Sequence, residues 1–440
     1  MPQTRDSLAR NGTETVADTI DVLILGSGGR EHALAAAVAA SPRLGRLLVA
    51  PGNPGTTALG TNVAMDPADP AAVVALTRQE RVDLVVVGPE GPLVAGVADA
   101  LEEAGVAVFG PSRAAARLEG SKGFTKDLAR DFAVPTAAYR RFDAAEDAKT
   151  YLAGIPYPAV IKADGLAAGK GVVIAADRAE AERAIDFMFG GGFGAAGASV
   201  VIEEFLVGEE LSFFALCDGH RALAFGSARD HKRLGDGDTG PNTGGMGAIS
   251  PAPMLDAALE ARIMDEIVEP TLRGMAERGA PFRGVLFVGL MMTAEGPKLI
   301  EFNVRFGDPE TQAILPRLDQ DLLPLLAAVA RGTLPEGPVR FRPEVGVAVV
   351  MAARGYPDAP LKGSVIGGFD RVAALPGVTL FHAGTRRESD VILADGGRVL
   401  TVLGLGADAE GARDRAYAGV AALDWPEGFC RRDIGLGGPS

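Results

Sequence analysis

The stretch Ile161-Lys162-Ala163-Asp164-Gly165-Leu166-Ala167-Ala168-Gly169-Lys170-Gly171, running on into Val172-Val173-Ile174, constrains this chain more than any other. Apolar residues lead into Lys162 as the end of a strand. A small-residue loop with three glycines and Lys170 follows, and a β-branched strand begins after it. Such a hairpin can fold over a polyphosphate, because glycine frees backbone N–H groups to cradle anions while lysines supply charge. It is not the strand-to-helix P-loop, since the GxxxxGK[ST] spacing is absent and a strand comes next. An ordinary glycine-rich hairpin is an equally good reading of these residues taken alone.

At 440 residues the chain exceeds one ordinary core, and its length points to about three domains. A net charge of −14 argues against a nucleic-acid partner, whose phosphates need a basic footprint. Anionic substrates must then be held by local lysines, arginines and loop amides. The two cysteines, Cys217 and Cys430, have no metal spacing and read as structural thiols of a reducing compartment. No apolar run approaches the roughly 18 residues of a membrane span. Residues 1–19 lack an apolar signal region and read as a disordered extension, so a cytoplasmic location is expected.

Val22 to Leu25, Leu47 to Ala50, Val82 to Val87 and Val106 to Phe109 read as buried parallel strands alternating with alanine-rich helices, the first over Ala33–Ala40. This predicts a doubly wound α/β domain over 20–120, with ligands at the carboxyl ends of its strands. Gly26-Ser27-Gly28-Gly29, Asn53 and Glu90 fall at those ends. A dinucleotide fingerprint fails there, because GxGxxG needs glycine where Glu31 stands, and no acid follows the second strand. A phosphorylated small substrate fits the glycines better.

A helix from Lys122 through Arg130 opens the next domain, 121–337, with a lid subdomain over about 135–205 that contains the hairpin. The strand Val200 to Leu206 enters Val207-Gly208-Glu209-Glu210; such a connection offers main-chain groups to an adenine edge and a carboxylate to ribose hydroxyls. Between Asp230-His231-Lys232-Arg233 and Gly244-Gly245-Met246-Gly247 the chain is polar and glycine-rich without periodicity, the mark of a functional loop. A helix over Ala257–Arg278 and the strands Val285–Met292 and Pro297–Phe302 follow.

Alternation along Leu299 to Asp308 puts Glu301, Asn303 and Arg305 on one face, with Ile300, Phe302 and Val304 toward the core. A carboxylate and an amide oxygen are hard ligands suited to Mg²⁺, and Arg305 suits a transferring phosphoryl group. The bland reading is a polar, exposed strand face. Residues 338–440 form a small α+β domain with little catalytic vocabulary, in which His382 reads as structural. No histidine pair has zinc spacing, and no GxSxG elbow suggests a covalent nucleophile.

Taken together, KADGLAAGKGV at 162–172, VIEEFLVGEE at 201–210 and EFNVRFGDPET at 301–311 resemble the ATP-grasp superfamily. The nearer resemblance is to the phosphoribosylamine–glycine ligase family of purine biosynthesis. GSGGREHAL at 26–34, APGNPGT at 50–56, VGPEGPLV at 87–94, LEGSKGFTKD at 118–127, the 230–253 stretch, FHAGT at 381–385 and FCRRDIG at 429–435 also fit it.

The resemblance implies a multidomain α/β and α+β fold: a doubly wound N-terminal pre-ATP-grasp domain, a central ATP-grasp domain and a C-terminal α+β domain. It also implies an ATP-dependent ligation of glycine to 5-phosphoribosylamine through glycyl phosphate, with Mg²⁺ or Mn²⁺. The partners are then small molecules only, without nucleic acid or membrane, and a monomer is expected. By the same resemblance Lys122 and Lys162 meet ATP phosphates under the loop of Gly165, Gly169, Lys170 and Gly171. Glu203, Phe205 and Leu206 frame adenine, and Glu210 the ribose. Glu301 and Asn303 bind metal, and Arg305 the phosphoryl group. Gly28, Gly29, Asn53, Pro89 and Glu90 take phosphoribosylamine. Asp230, Lys232, Gly244, Gly245 and Gly247 face glycine, with Arg305, Lys162 and Asp230 as catalytic residues. One departure is that Val288-Gly289-Leu290-Met291 lacks the acid that many relatives carry on the strand before the metal ligands.

Overall fold

In the computed structural model, residues 19–165 and 171–436 are described; the expected extension up to residue 18 and the loop positions Gly169 and Lys170 lie outside them. The N-terminal module is a parallel sheet in the order Thr61–Asn62, Leu44–Pro51, Ile20–Gly26, Leu84–Val87, Ala107–Phe109. Val22 to Leu25 are fully buried, as the unbroken apolar run of a doubly covered strand requires. Strand order reverses between Ile20–Gly26 and Leu84–Val87, so Gly26–Gly28 and Gly88–Glu90 meet at the switch point, where α/β sheets bind ligands.

The lid is a four-stranded antiparallel sheet, Tyr139–Phe142, Val200–Glu204, Ala159–Ala163, Val172–Ala175. Lys162 pairs with Val172 across the expected hairpin, and the Ile161–Ile202 and Lys162–Val201 pairs carry it onto the strand Val200–Glu204. Phe142, Leu152, Ile161, Ile185, Met188, Val200 and Ile202 give the lid a core of its own.

The floor differs from expectation in two ways. Leu299 pairs with Leu290 and Glu301 with Gly289, which leaves Ile300 as an extra, bulged residue. Leu299, Phe302 and Val304 are therefore the core residues, and Ile300 is only half-buried. Glu301 and Asn303 still share a face, but the strand ends at Asn303 and Arg305 arrives by a bend. Unbroken alternation misplaced Ile300 because a bulge resets the phase of a strand.

The second difference is continuity. The floor strands Gly296–Asn303, Arg283–Thr293, Glu209–Asp218 and Ala222–Asp230 pair on through Gly247–Ser250 to Val345–Ala353, Arg398–Gly406 and Val378–His382. The C-terminal module thus extends the floor sheet. The helix expected over 257–278 runs as three abutting segments, Ala257–Ile263, Met264–Val268 and Glu269–Glu277.

The N- and C-terminal modules meet at His32, whose Nδ1 accepts the backbone N–H of His382 at 2.8 Å. Asn53 Nδ2 donates to the His382 and Ser27 carbonyls, each at 2.9 Å. Burial, helped by the neighbouring His382, pushes His32 down to about 3. The unfolded chain binds that proton below the ordinary histidine value and the folded chain does not, so stability falls as pH drops from about 6.5 toward 3. His32→Asn keeps an acceptor for the His382 N–H but cannot titrate. Calorimetric proton uptake on unfolding at about pH 5.5 should fall by about one proton per chain in this variant; an unchanged uptake would refute the shift.

Candidate active site

Three buried charges stand where lid, hinge and floor meet. Glu203 Oε2 is 3.0 Å from Lys126 Nζ, and its Oε1 is 3.0 Å from Lys162 Nζ, an ion-pair contact off the hydrogen-bonding direction. The three residues are 4, 2 and 3 % exposed. Lys162 Nζ also donates to the carbonyl of bulged Ile300 at 3.3 Å. Lys126 Nζ donates to Thr136 Oγ1 at 2.7 Å, which donates to the Leu299 carbonyl at 2.6 Å. Burial brings the Lys126 ammonium down to about 8 despite the opposing pull of Glu203.

Lys122 Nζ reaches the Gly165 carbonyl at 3.5 Å, just past the end of the strand that carries Lys162. Asp164 fixes that point by accepting the Gly123 N–H at 3.1 Å and the Ser199 hydroxyl at 3.2 Å. Ala163 N–H donates to the Gly171 carbonyl at 2.8 Å, closing the far side. Beyond Glu203 the connection lies open: Phe205 is exposed and Leu206 half-buried.

Glu301 sits under these cations. Burial alone would raise its carboxyl, but Lys122, Lys232, Lys162 and Arg305 outweigh burial and hold it below the usual range. Arg305 lies between Glu119 at 3.1 Å and Glu90 at 3.3 Å, and donates to Asn303 Oδ1 at 3.3 Å. Burial works against the Arg305 charge, yet the two carboxylates raise its pKa further. The second Glu119 oxygen accepts the Val304 N–H at 2.8 Å, which pins the end of the strand that carries Glu301 and Asn303. Glu301 and Asn303 offer one ionised carboxylate and one amide oxygen. Among the described residues no cluster of three or more His, Cys, Asp or Glu suits a metal. Two hard oxygen ligands match a cation that takes the rest of its shell from phosphates and water. Gly289, opposite Glu301, supplies no third acid.

A third group lies beside Glu301 on the same face of the floor, where Ser212 pairs with Gly289 and Gly289 with Glu301. Lys232 Nζ pairs with Glu210 Oε2 at 2.6 Å, so Glu210 meets a lysine as well as the open hinge. Asp230 Oδ1 is buried without a hydrogen-bond partner. Burial, and then the nearby Glu310, push the Asp230 carboxyl well above the usual range. Glu310 Oε1 accepts the Ser212 hydroxyl at 3.1 Å. Gly245 has φ +107°, and a Cβ there would lie 2.7 Å from Asp230 Oδ1, so only glycine fits over this carboxylate. Arg398, from the C-terminal module, donates to the carbonyls of Gly244 and Gly245 and to that of Asp308. Tyr356 Oη accepts the Gly244 N–H at 3.2 Å, and Gly247 continues as a floor strand.

At the N-terminal switch point Glu31 explains the failed dinucleotide pattern. Its Oε2 accepts the Gly28 N–H at 2.6 Å, so the side chain itself caps the helix where a pyrophosphate would sit. Gly28 thus spends its N–H internally, and Gly29 packs against Gln312. The Asn53 amide is likewise spent: besides its two donated bonds, Oδ1 accepts from Gly55 and Thr56. Pro89 leads into Glu90, which Arg305 and Arg30 hold below its usual range against the effect of burial. A cavity of about 240 Å³ opens between Ser27, Gly28, Asp308 and the C-terminal Tyr356, Gly384 and Arg398. A larger hollow of about 460 Å³, lined by Ala33, Ala37, Leu315 and Phe381, lies away from all these charges.

Sequence reasoning missed Lys126, Glu119, Glu310 and Arg398. Lys126 carried a signal, since it stands one helical turn after Lys122. Glu119 and Glu310 lay inside stretches already singled out, whereas Arg398 had no local signal.

Family models of phosphoribosylglycinamide synthetase match the chain as its N domain over 20–119, its ATP-grasp domain over 120–311 and its C domain over 346–437. A phosphoribosylamine–glycine ligase of Mesorhizobium japonicum is 59 % identical over 94 % of this chain and 98 % of its own length. One from Brucella melitensis is 56 % identical over 94 % and 97 %. The crystal structure of a phosphoribosylamine–glycine ligase from Thermotoga maritima superposes with a TM-score of 0.83 at 35 % identity, covering 94 % of this chain and all of that one. The biotin carboxylase domain of Hydrogenobacter thermophilus 2-oxoglutarate carboxylase shares the fold at 16 % identity, with a TM-score of 0.71 over 94 % and 92 %.

Breaking the buried triad should be costly. Glu203→Gln leaves two ammonium groups facing each other, and should lower stability by about 3–5 kcal/mol, read as a fall in the urea midpoint. A change under about 1 kcal/mol would mean that water already screens the group.

Proposed function

The chain belongs to the phosphoribosylglycinamide synthetase family, and we propose that its reaction, the ATP-dependent joining of glycine to 5-phosphoribosylamine, runs through glycyl phosphate in the cleft above Glu301. The observation that carries this reading is the convergence of Lys122, Lys162, Lys232 and Arg305 on one ionised carboxylate. A site for phosphoryl transfer needs positioning and charge neutralisation, and no covalent enzyme nucleophile.

A glycine carboxylate oxygen attacks the γ-phosphorus, and the bond to the β-phosphate oxygen breaks to release ADP. Lys122 and Lys162 hold ATP phosphates, while Arg305, braced by Glu90 and Glu119, meets the equatorial oxygens of the moving group. Glu301 and Asn303 would hold Mg²⁺ or Mn²⁺, which when bound neutralises phosphate charge. Asp230 and Glu310 take the ammonium group of glycine, and Lys232 its carboxylate. The amine of phosphoribosylamine, bound from the N-terminal switch point, then attacks the acyl carbon. The carbon–oxygen bond to phosphate breaks, and the departing phosphate takes the amine proton. The exposed connection at Phe205 and Leu206 receives adenine, with Glu210 toward the ribose.

ADP release should require glycine and freshly made phosphoribosylamine together; release with bicarbonate or formate in place of glycine would instead favour a carboxylase-like or other acyl phosphate chemistry. Glu301→Gln should reduce turnover by at least on the order of 100-fold while the unfolding midpoint is retained. Full activity at ordinary Mg²⁺ would remove Glu301 from the metal site. Glu310→Gln should raise the KM for glycine by about tenfold with little change for ATP, as expected for one charge-assisted contact. Equal effects on both substrates would point to a general loss of structure.

A further inference from the structure

The segment that carries Asp230 and Lys232 is held at two ends. At its base, Met246 N–H donates to the His231 carbonyl at 2.8 Å, His231 N–H to Gly247 at 2.9 Å, and Thr243 N–H to Lys232 at 2.8 Å. From there a hairpin, Arg233–Gly235 with Thr239–Asn242, projects outward with an irregular ladder, and all four residues of its second strand are exposed. The hairpin buries almost no apolar surface, so burial cannot order it.

The tip is instead gripped by the end of the chain. The Arg431 side chain, 2 % exposed, forms a fork on Asp433, with Nε to Oδ1 at 2.7 Å and a second nitrogen to Oδ2 at 2.6 Å. Its remaining nitrogen reaches Asp238 Oδ1 at 2.7 Å and the Arg233 carbonyl at 3.1 Å. Asp433 Oδ2 accepts the Gly237 N–H at 2.8 Å, and Asp236 Oδ1 accepts the Arg432 N–H at 2.7 Å. The tail has its own footing. Tyr417 Oη donates to the Arg431 carbonyl at 2.8 Å and accepts the Ile434 N–H at 3.2 Å, and fully buried Ile434 lies against Gly247. Burial would raise Asp433, yet Arg431 and the Gly237 N–H outweigh it and keep the fork ionised.

We propose that residues 431–433 are a strap that fixes the 233–242 hairpin and so sets Asp230 and Lys232 for the ligation, with Arg431 and Asp433 as positioning residues that never touch the reacting groups. The inference rests on the glycine-side reading of Asp230 and Lys232 given above. Hydrogen bonds at the tip act on the base because the hairpin between them is one short ladder.

The test is the double variant Asp236→Ala/Asp238→Asn. Both residues are exposed, asparagine tolerates the left-handed backbone at position 238 (φ +53°), and the buried Arg431–Asp433 fork is left intact. Amide hydrogen exchange over 233–243 should quicken by about tenfold, the KM for glycine should rise by about tenfold, and the KM for ATP should stay within about twofold. Arg431→Lys, which keeps the charge but loses the fork, should shift the glycine KM in the same direction. Faster exchange with an unchanged glycine KM would reduce the strap to a stabilising contact, and unchanged exchange would show that it does not hold the tip. Either result overturns the proposal. If the unaltered protein gave no glycine-dependent ADP, the ligase reading would fall, and exchange would still decide whether the strap orders the hairpin.

Discussion

Arg305 held between Glu90 and Glu119 is the contact on which the arrangement of the site depends. A guanidinium removed from water needs counter-charge, and here that charge comes from different parts of the chain. Glu90 belongs to the N-terminal sheet, Glu119 to the segment leading into the ATP-grasp helix, and Asn303 to the floor strand. One cation thereby registers the N-terminal module against the strand that carries Glu301 and Asn303. The Lys126–Glu203–Lys162 triad does the same for lid and floor, through the bonds of Lys162 to the Ile300 carbonyl and of Lys126, by way of Thr136, to that of Leu299. Both clusters are buried charge networks whose value lies in geometry more than in net stability.

Much of the fold was legible because its signals are local. The buried parallel strands, the Lys162–Val172 hairpin and the pairing of floor strands follow from apolar runs, glycine punctuation and alternation. Glu301 and Asn303 share a face as alternation required, and Lys122, Lys162, Lys232 and Arg305 do gather near them. What escaped were features created by pairing over long separations. The bulge at Ile300 is set by its partner strand, and nothing in Leu299-Ile300-Glu301 announces it. Lys126 became part of the site only because Glu203 came to lie beside it. The role of Arg398 depends on Gly244 and Gly245, more than 150 residues earlier.

Glu31 shows how one side chain separates two readings of a glycine-rich turn. By filling the helix N-terminus at Gly28 with its own carboxylate, it occupies the place of a dinucleotide's pyrophosphate. The glycines around it read as room for that side chain as much as for a ligand. The same economy applies to Asn53, whose amide joins the N-terminal loop to His382.

The shared sheet has a consequence for how such a protein can be divided. Gly247–Ser250 is a four-residue seam paired on one side to Ala222–Asp230 and on the other to Val345–Ala353. Cutting the chain in the connection before Val345 would strip the seam of its outer neighbour and lay open a row of unpaired N–H and C=O groups, an adhesive edge. The C-terminal module is therefore no detachable bead. Shuffling it between relatives means transplanting half a ladder, and any sway between it and the floor must take the form of shear within one sheet.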